Sequence, residues 1–173
     1  MNVASQHHRV AVSKEVLPEE LAKILRYHVW ASIGSGLVPI PGVDLALLTG
    51  VQINLLRELS RKYQVPFFQH VVREAISSVV SSAIPFAVAP VIAASLIKCI
   101  PLAGQTIGVL TLPTVAGAAT YALGKVFIQH FASGGTFLTF QPDKVKAYYA
   151  KMFAEGERFA EELKQAKEPA PKN

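Results

Sequence analysis

Few side chains in this sequence have the type and spacing that catalysis or ligand binding requires. Gly124 and Lys125 match two positions of a phosphate-binding loop, in which backbone N–H groups and a lysine hold phosphate oxygens. That loop needs glycine at the position of Ala119 and serine or threonine at the position of Val126. It also follows a strand, whereas this stretch has a helical pattern. The sequence therefore excludes a phosphate-binding loop.

Two other features that resemble reactive or ligand-binding sites also fail. A dinucleotide-binding loop needs a third glycine, and Pro39 occupies that position after the glycines at 34 and 36. Cys99 has no histidine near it in sequence, so we interpret it as a small apolar residue and not as a nucleophile. As the single cysteine, it also excludes an intramolecular disulfide.

The histidines lack the neighbours that a general base or a metal ion needs. His7 and His8 are adjacent in a polar N-terminal segment without further ligands. His28 falls on the apolar face of a predicted helix, which indicates a core histidine, and His130 belongs to the end of a helical stretch. We therefore predict that the protein is not an enzyme and has no catalytic residue, cofactor or metal site.

The most apolar region of the chain, residues 75–124, contains a single charged residue, Lys98. The uncharged runs 75–97 and 99–124 are each longer than the roughly 20 residues that a helix needs to cross a bilayer. Charged residues make up 17% of the chain, whereas soluble domains average about 25%. We expect a central helical hairpin, over residues 75–124, that is embedded in a membrane.

The two halves of this hairpin differ in composition. Residues 76–97 are rich in strongly apolar side chains and can insert alone, whereas residues 103–124 have fewer of them. Small residues recur along the second half at intervals of four, interrupted at Leu112, so that another helix can approach closely. The predicted positions for helix packing or a partner interface are Gly104, Gly108, Ala116, Thr120 and Gly124.

The charge distribution predicts the orientation of the hairpin. Of the 17 Lys and Arg residues, eight lie in residues 1–74, eight lie in residues 125–173, and the remaining one is Lys98. Positive charge marks the cytoplasmic side, so we expect both termini in the cytoplasm. The net charge is only +5 and is not gathered in a basic stripe, so the sequence predicts no nucleic-acid partner.

Helices are also predicted on both sides of the hairpin. Pro18 and Pro142 each suit the first position of a helix. We therefore predict an all-α helical bundle that forms a single domain over residues 18–166. Residues 1–17 and 167–173 are polar and are expected to be disordered tails.

The connection before the second predicted helix is unusually apolar. Pro39 and Pro41 favour extended backbone and Gly42 permits a tight turn, so we expect this segment to be buried or to lie in a membrane interface. Asp44 is placed to act as the N-cap of the next helix. Gln52 interrupts the apolar stripe of that helix about two turns later, and a buried polar group needs a partner.

Two stretches of the sequence resemble a bacterial family, domain of unknown function 697, which is related to the YcjF-type inner-membrane proteins. They are residues 36–63, with the motif PIPGVD, and residues 100–137, with the motif ATYALGK. The resemblance extends over residues 18–162. Members of the family occur fused to, or encoded near, Era-like or dynamin-like GTPases. This implies a membrane-linked module that works with a GTPase, and the family has no established catalytic residues.

Together with this resemblance, the sequence predicts a non-enzymatic adaptor in the bacterial inner membrane, in contact with membrane lipid, and the resemblance implies a GTPase as its partner. Two alternatives remain open. The hairpin could assemble through its small-residue face into homo-oligomers that deform or permeabilise the bilayer. The protein could also be a soluble helical interaction protein in which the hairpin is a buried core. Pro85, Pro90, Pro113 and the weakly apolar second run fit such a core nearly as well as they fit a membrane.

Overall fold

The computed structural model describes residues 17–38, 40, 42–83 and 104–167, and this part of the chain is all-α without strands. The all-α prediction is confirmed. Five α-helices are present in the described ranges: α1 Pro18–Gly36, α2 Val43–Lys62, α3 Gln69–Ala83, α4 Gly104–Ala132 and α5 Pro142–Lys167. A 3-10 turn, Phe137–Thr139, precedes α5.

Helix α4 is the centre of the bundle and packs against α1, α2 and α5. Most of its residues between Leu112 and Phe127 are buried. Small side chains allow the neighbouring helices to approach closely. A Cβ added to Gly117 would lie 3.0 Å from both Ile33 of α1 and Ala160 of α5. The core is therefore built around a helix that its own chain encloses.

Contacts along α1 show that it runs antiparallel to α4. Gly36, at the end of α1, touches Pro113 near the start of the buried part of α4. Leu25, in the middle of α1, touches Gly124 further along α4. The end of α1 and the connection that follows it therefore lie beside the N-terminal half of α4.

Helices α2 and α5 take opposite directions against α4. Gln52 of α2 contacts Thr120 of α4, and Leu55, further along α2, contacts Gly124, further along α4. Helix α2 is therefore parallel to α4. Helix α5 is antiparallel, because its residues Glu155 and Glu161 accept hydrogen bonds from the hydroxyls of Tyr121 and Thr114 respectively. The C-terminal end of α5 consequently lies at the same end of the bundle as the α1–α2 connection.

The start of α2 differs from the sequence prediction. The N-cap is Gly42, with φ at +88° in the left-handed region that glycine tolerates, and not Asp44. Asp44 belongs to the first turn of α2, where its Oδ1 accepts the N–H of Gly42 at 3.0 Å and that of Leu45 at 2.8 Å. The N-cap prediction was wrong, because the turn before α2 needs a residue with positive φ at the cap. Glycine adopts this conformation readily, so Gly42 occupies the N-cap position.

The structure places parts of both apolar runs inside the bundle. In the first run, Ala75, Ile76 and Val79 of α3 are buried in the core, and in the second run residues 112–124 belong to the buried part of α4. Among the helices within the described ranges, none is long and apolar enough to cross a membrane. The turn of the predicted hairpin, Pro39, Pro41 and both predicted tails except Leu17 and Lys167 lie outside the described residues.

Candidate functional site

Three buried polar residues join α1, α2 and α4, and we call them the polar seam: Ser32, Gln52 and Thr120. The Ser32 and Thr120 hydroxyls share a hydrogen bond of 2.7 Å. The Gln52 amide donates to Thr120 Oγ1 over 3.5 Å. All three are at most 5% exposed. The polar group predicted from the stripe of α2 therefore has its partner on α4, a helix distant in sequence.

A small cavity lies next to the first turn of α2. Its volume is about 10 Å³, which is close to the minimum for one water molecule. It is lined by Ser35, Gly36, Asp44, Leu45, Leu48, Leu112 and Ala116. The carboxylate of Asp44 is buried but is hydrogen-bonded to backbone N–H groups, as described above. This cavity is too small for an organic substrate or a nucleotide.

His28 is a core histidine, as predicted, with 1% of its surface exposed. Its Nδ1 donates to the carbonyl of Ile24 at 2.8 Å, and its Nε2 accepts from the Asn54 amide at 3.2 Å. Glu58 Oε2 lies 3.9 Å from Nδ1. A backbone carbonyl can only accept a hydrogen bond, so the contact with Ile24 requires a proton on Nδ1. Because both ring nitrogens are occupied within the chain, His28 acts as a structural residue.

A second polar cluster connects α4 to α5. Thr114 donates to the Glu161 carboxylate and accepts from Lys164 Nζ at 3.1 Å. Lys164 Nζ is also 3.1 Å from Glu161 Oε1. The hydrogen bond from Thr114 lowers the pKa of Glu161, Lys164 adds to this effect, and desolvation opposes it. The charged groups of Glu161 and Lys164 therefore pair with each other and with Thr114, near the apolar end of α4.

The surface around the α1–α2 connection exposes large apolar side chains, and we call this surface the apolar turn. Its members are between 42% and 56% exposed, and they are Leu37, Ile40, Val43, Leu45 and Leu47. Between Arg26 and Arg57 the sequence has only one ionic residue, Asp44, and that residue is buried. The apolar turn is therefore a candidate interaction surface without an exposed ionic charge of its own.

The predicted small-residue positions on α4 meet helices of the same chain where the structure describes them. Ala116 lines the small cavity, Thr120 belongs to the polar seam, and Gly124 packs against α1 and α2. Gly104 and Gly108 belong to the first turns of α4, and the structure does not describe what surrounds them. Within the described ranges, no group of three His, Cys, Asp or Glu residues is placed to hold a metal ion.

Comparison with known proteins identifies the family. The family model "Domain of unknown function (DUF697)" matches residues 10–158. The chain belongs to the DUF697 family. This confirms the resemblance that the PIPGVD and ATYALGK motifs indicated.

The DUF697 chain is also similar to a protein from the bacterium Magnetospirillum gryphiswaldense. That relative, "Magnetosome membrane protein 22", is 32% identical over 160 residues, which are 92% of this chain and 80% of the relative. No solved structure matches the chain.

Some of the polar contacts in this DUF697 protein were missed by sequence reasoning. Asn54 lies opposite the apolar stripe of α2 in the helical pattern, yet it binds buried His28. Ser32 follows His28 by one helical turn, so its place on the predicted buried face was a usable signal. The pairing of Glu161 with Thr114 had no signal in sequence, because it depends on how α5 lies against α4.

Proposed function

We propose that this DUF697 protein is a non-enzymatic adaptor that is attached to a membrane. The observation that carries this proposal is the similarity, over 92% of the chain, to a protein named for a membrane. The sequence between α3 and α4, residues 84–103, has only Lys98 as a charged residue and supplies apolar length for attachment. Exposed ion pairs on α1 and α5, such as Lys23 with Glu19, suit a bundle that faces water.

The packing of the bundle limits how much of the apolar region lipid can contact. Ala75, Ile76, Val79 and most of residues 112–124 are already buried within the bundle. The stretch left between them is too short for two helices of roughly 20 residues each. We therefore favour a re-entrant hairpin that enters and leaves the bilayer on one side. Both termini would then be cytoplasmic, at the bacterial inner membrane.

The polar groups of the bundle support a non-enzymatic role. His28 uses both ring nitrogens inside the chain, and the carboxylate of Glu161 is held by Thr114 and Lys164. Groups in such pairings stabilise helix packing, whereas a general base or nucleophile has to reach a substrate. The small cavity beside Asp44 has no room for a substrate. These observations favour binding over catalysis.

A GTPase is the partner class that the family resemblance supports. This helical domain has no phosphate-binding loop, so GTP would be bound by the GTPase and not by the helical domain itself. Affinity purification of the tagged full chain from a detergent extract, followed by mass spectrometry, tests this part of the proposal. We expect enrichment of a GTPase over a tagged, unrelated membrane hairpin. Its absence in several detergents would count against the adaptor function.

Membrane attachment is tested by carbonate extraction of cells that produce the full chain. We expect the protein to remain in the membrane pellet. Val88→Arg places a charge in the uncharged run and should release a several-fold larger fraction, because an arginine in the apolar core is strongly disfavoured. Leu138→Arg is the matched control, since Leu138 is 74% exposed on the 3-10 turn. A wild-type chain that is fully extracted would contradict the proposal.

A further inference from the structure

The apolar turn has the composition of a surface that leaves water. Its five large apolar side chains belong to one short connection and the first turns of α2. An exposed cluster of this kind marks an interaction site more often than scattered apolar residues do. The question is then which partner its chemistry fits.

The side chains of the apolar turn include no exposed ionic group. Asp44 is the single ionic residue between Arg26 and Arg57, and it is 5% exposed. Its Oδ1 accepts hydrogen bonds from the backbone N–H groups of Gly42 and Leu45, so the carboxylate is directed into the turn. An apolar surface without exposed ionic groups of its own suits either the centre of a protein interface or lipid. The position of the apolar turn in the bundle favours lipid.

The apolar turn lies next to the region that we propose enters the membrane. Gly36 lies against Leu112 and Pro113, and N-terminal to these residues α4 continues as an uncharged helix to Gly104. Lys164 and Glu161 bind Thr114, the next residue of α4, so charged groups lie close to the level of this contact. This end of the bundle can therefore enter a bilayer only to the headgroup and acyl-chain boundary, the depth that interfacial segments reach.

From this placement we propose that the apolar turn is a lipid-binding surface, which inserts shallowly into the bilayer interface beside the hairpin. The inference rests on the proposed membrane attachment and adds a second, independent contact with lipid. It gives the bundle a fixed orientation, because attachment at two points restricts rotation about the hairpin. A hairpin alone would leave the apolar turn in water.

The test uses the full chain with one fluorescent label. In a Cys99→Ser background, Leu47→Cys carries an environment-sensitive dye, and Leu138→Cys carries the same dye as a control. Leu138 is exposed on the 3-10 turn, next to the end of α4 that lies away from the apolar turn. Both proteins are reconstituted into vesicles of phosphatidylethanolamine and phosphatidylglycerol. Iodide quenches the dye from water, and spin-labelled lipid quenches it from the bilayer.

We expect the label at Leu47 to be quenched by spin-labelled lipid and to be quenched by iodide several-fold less than the label at Leu138. Vesicle flotation measures attachment separately. A chain that does not float overturns both the proposed function and this inference. A chain that floats while both labels respond equally to iodide overturns only the inference.

A third outcome identifies a different occupant. If the label at Leu47 is shielded from iodide but not quenched by lipid, and Leu47→Cys chains cross-link to each other, then a second copy covers the surface and the inference is wrong. Circular dichroism verifies that the labelled proteins are folded. If Leu47→Cys does not fold, Ile40→Cys labels the same surface, because Ile40 is 56% exposed.

Discussion

Gly36 of α1 lies directly against the backbone of Pro113 in α4, with no space for a side chain between them. A Cβ added to Gly36 would be 2.7 Å from both the nitrogen and the Cα of Pro113. Backbone atoms cannot move aside as the end of a flexible side chain can. This contact fixes the height of the apolar turn relative to the central helix, so the candidate lipid surface depends on it.

Gly36→Ala should therefore destabilise the bundle, whereas Gly34→Ala should not. We expect a loss of about 1–3 kcal/mol for Gly36→Ala, because the added methyl group forces the two backbones apart. An added Cβ at Gly34 meets nothing within 4 Å, and alanine is the better helix former. Urea unfolding followed by circular dichroism measures both variants. Equal unfolding midpoints for the two would contradict the close contact.

The polar seam should show energetic coupling between α1 and α4. Thr120→Val removes the hydroxyl that Ser32 and Gln52 bind, and leaving such groups unpaired costs about 1–3 kcal/mol. In a double-mutant cycle with Ser32→Ala, we expect a coupling of about 0.5–3 kcal/mol. Thr49→Val is the control, since the Thr49 hydroxyl bonds to the exposed backbone of its own helix. Simple additivity of the two seam variants would argue against the hydrogen bond.

Tyr149→Phe should stabilise the protein or leave its stability unchanged. The Tyr149 hydroxyl is buried and has no hydrogen-bond partner among the described residues. Removing it relieves a desolvation cost of about 1–3 kcal/mol. A clear loss of stability in urea unfolding would reveal a partner for the hydroxyl. Tyr27→Phe, at a position that is 67% exposed, is the reference substitution.

The same residue predicts a pH dependence. Burial raises the pKa of Tyr149 above its ordinary value, so the folded state retains this proton when the unfolded state has lost it. The preference of the folded state for the protonated hydroxyl therefore leaves the free energy of unfolding intact below the unfolded pKa of about 10. The free energy of unfolding decreases as the pH rises above that value, because the unfolded state then loses its proton first. The decline of unfolding free energy above that pH should be shallower in Tyr149→Phe. Parallel curves for the two proteins would contradict this.

His28 and His130 should be opposite tautomers when neutral. His28 donates through Nδ1 to Ile24, whereas His130 donates through Nε2 to the carbonyl of Thr136 at 2.9 Å. Long-range ¹H–¹⁵N NMR spectra distinguish the two forms, and His28→Gln and His130→Gln assign the signals. Finding the proton on Nε2 of His28 would exclude the hydrogen bond to Ile24 and would require Asn54 to present its oxygen.

Glu161→Gln should weaken the loss of stability in acid. The hydrogen bond from Thr114, with Lys164, lowers the pKa of Glu161 in the folded state. A lowered pKa gives stability that is present above the unfolded pKa of about 4.3 and is lost as the pH falls through the folded pKa. The slope of unfolding free energy in this range should be smaller in Glu161→Gln than in the wild type. Glu162→Gln, on the exposed side of α5, should retain the wild-type slope.

Local signals in the sequence predicted the starts of helices and the burial of His28. Proline at the first helical position gave the starts of α1 and α5 at Pro18 and Pro142. The apolar face of α1 placed His28 in the core. The sequence could not predict that Asn54, on the polar side of α2, binds this histidine. That contact depends on the rotation of α2 against α1, which periodicity does not encode.

By itself, the sequence determined the all-α class, the family and the distribution of charge, because helix starts, motifs and apolar runs are local properties. Only the tertiary structure decided which buried groups meet. Ser32 and Thr120 are 88 residues apart in the chain and share a hydrogen bond. The residues from 112 to 124 read as lipid-facing or partner-facing in sequence, yet α1, α2 and α5 cover them where they are described. An apolar helix needs an apolar neighbour, and only packing shows whether that neighbour is lipid or the protein's own chain.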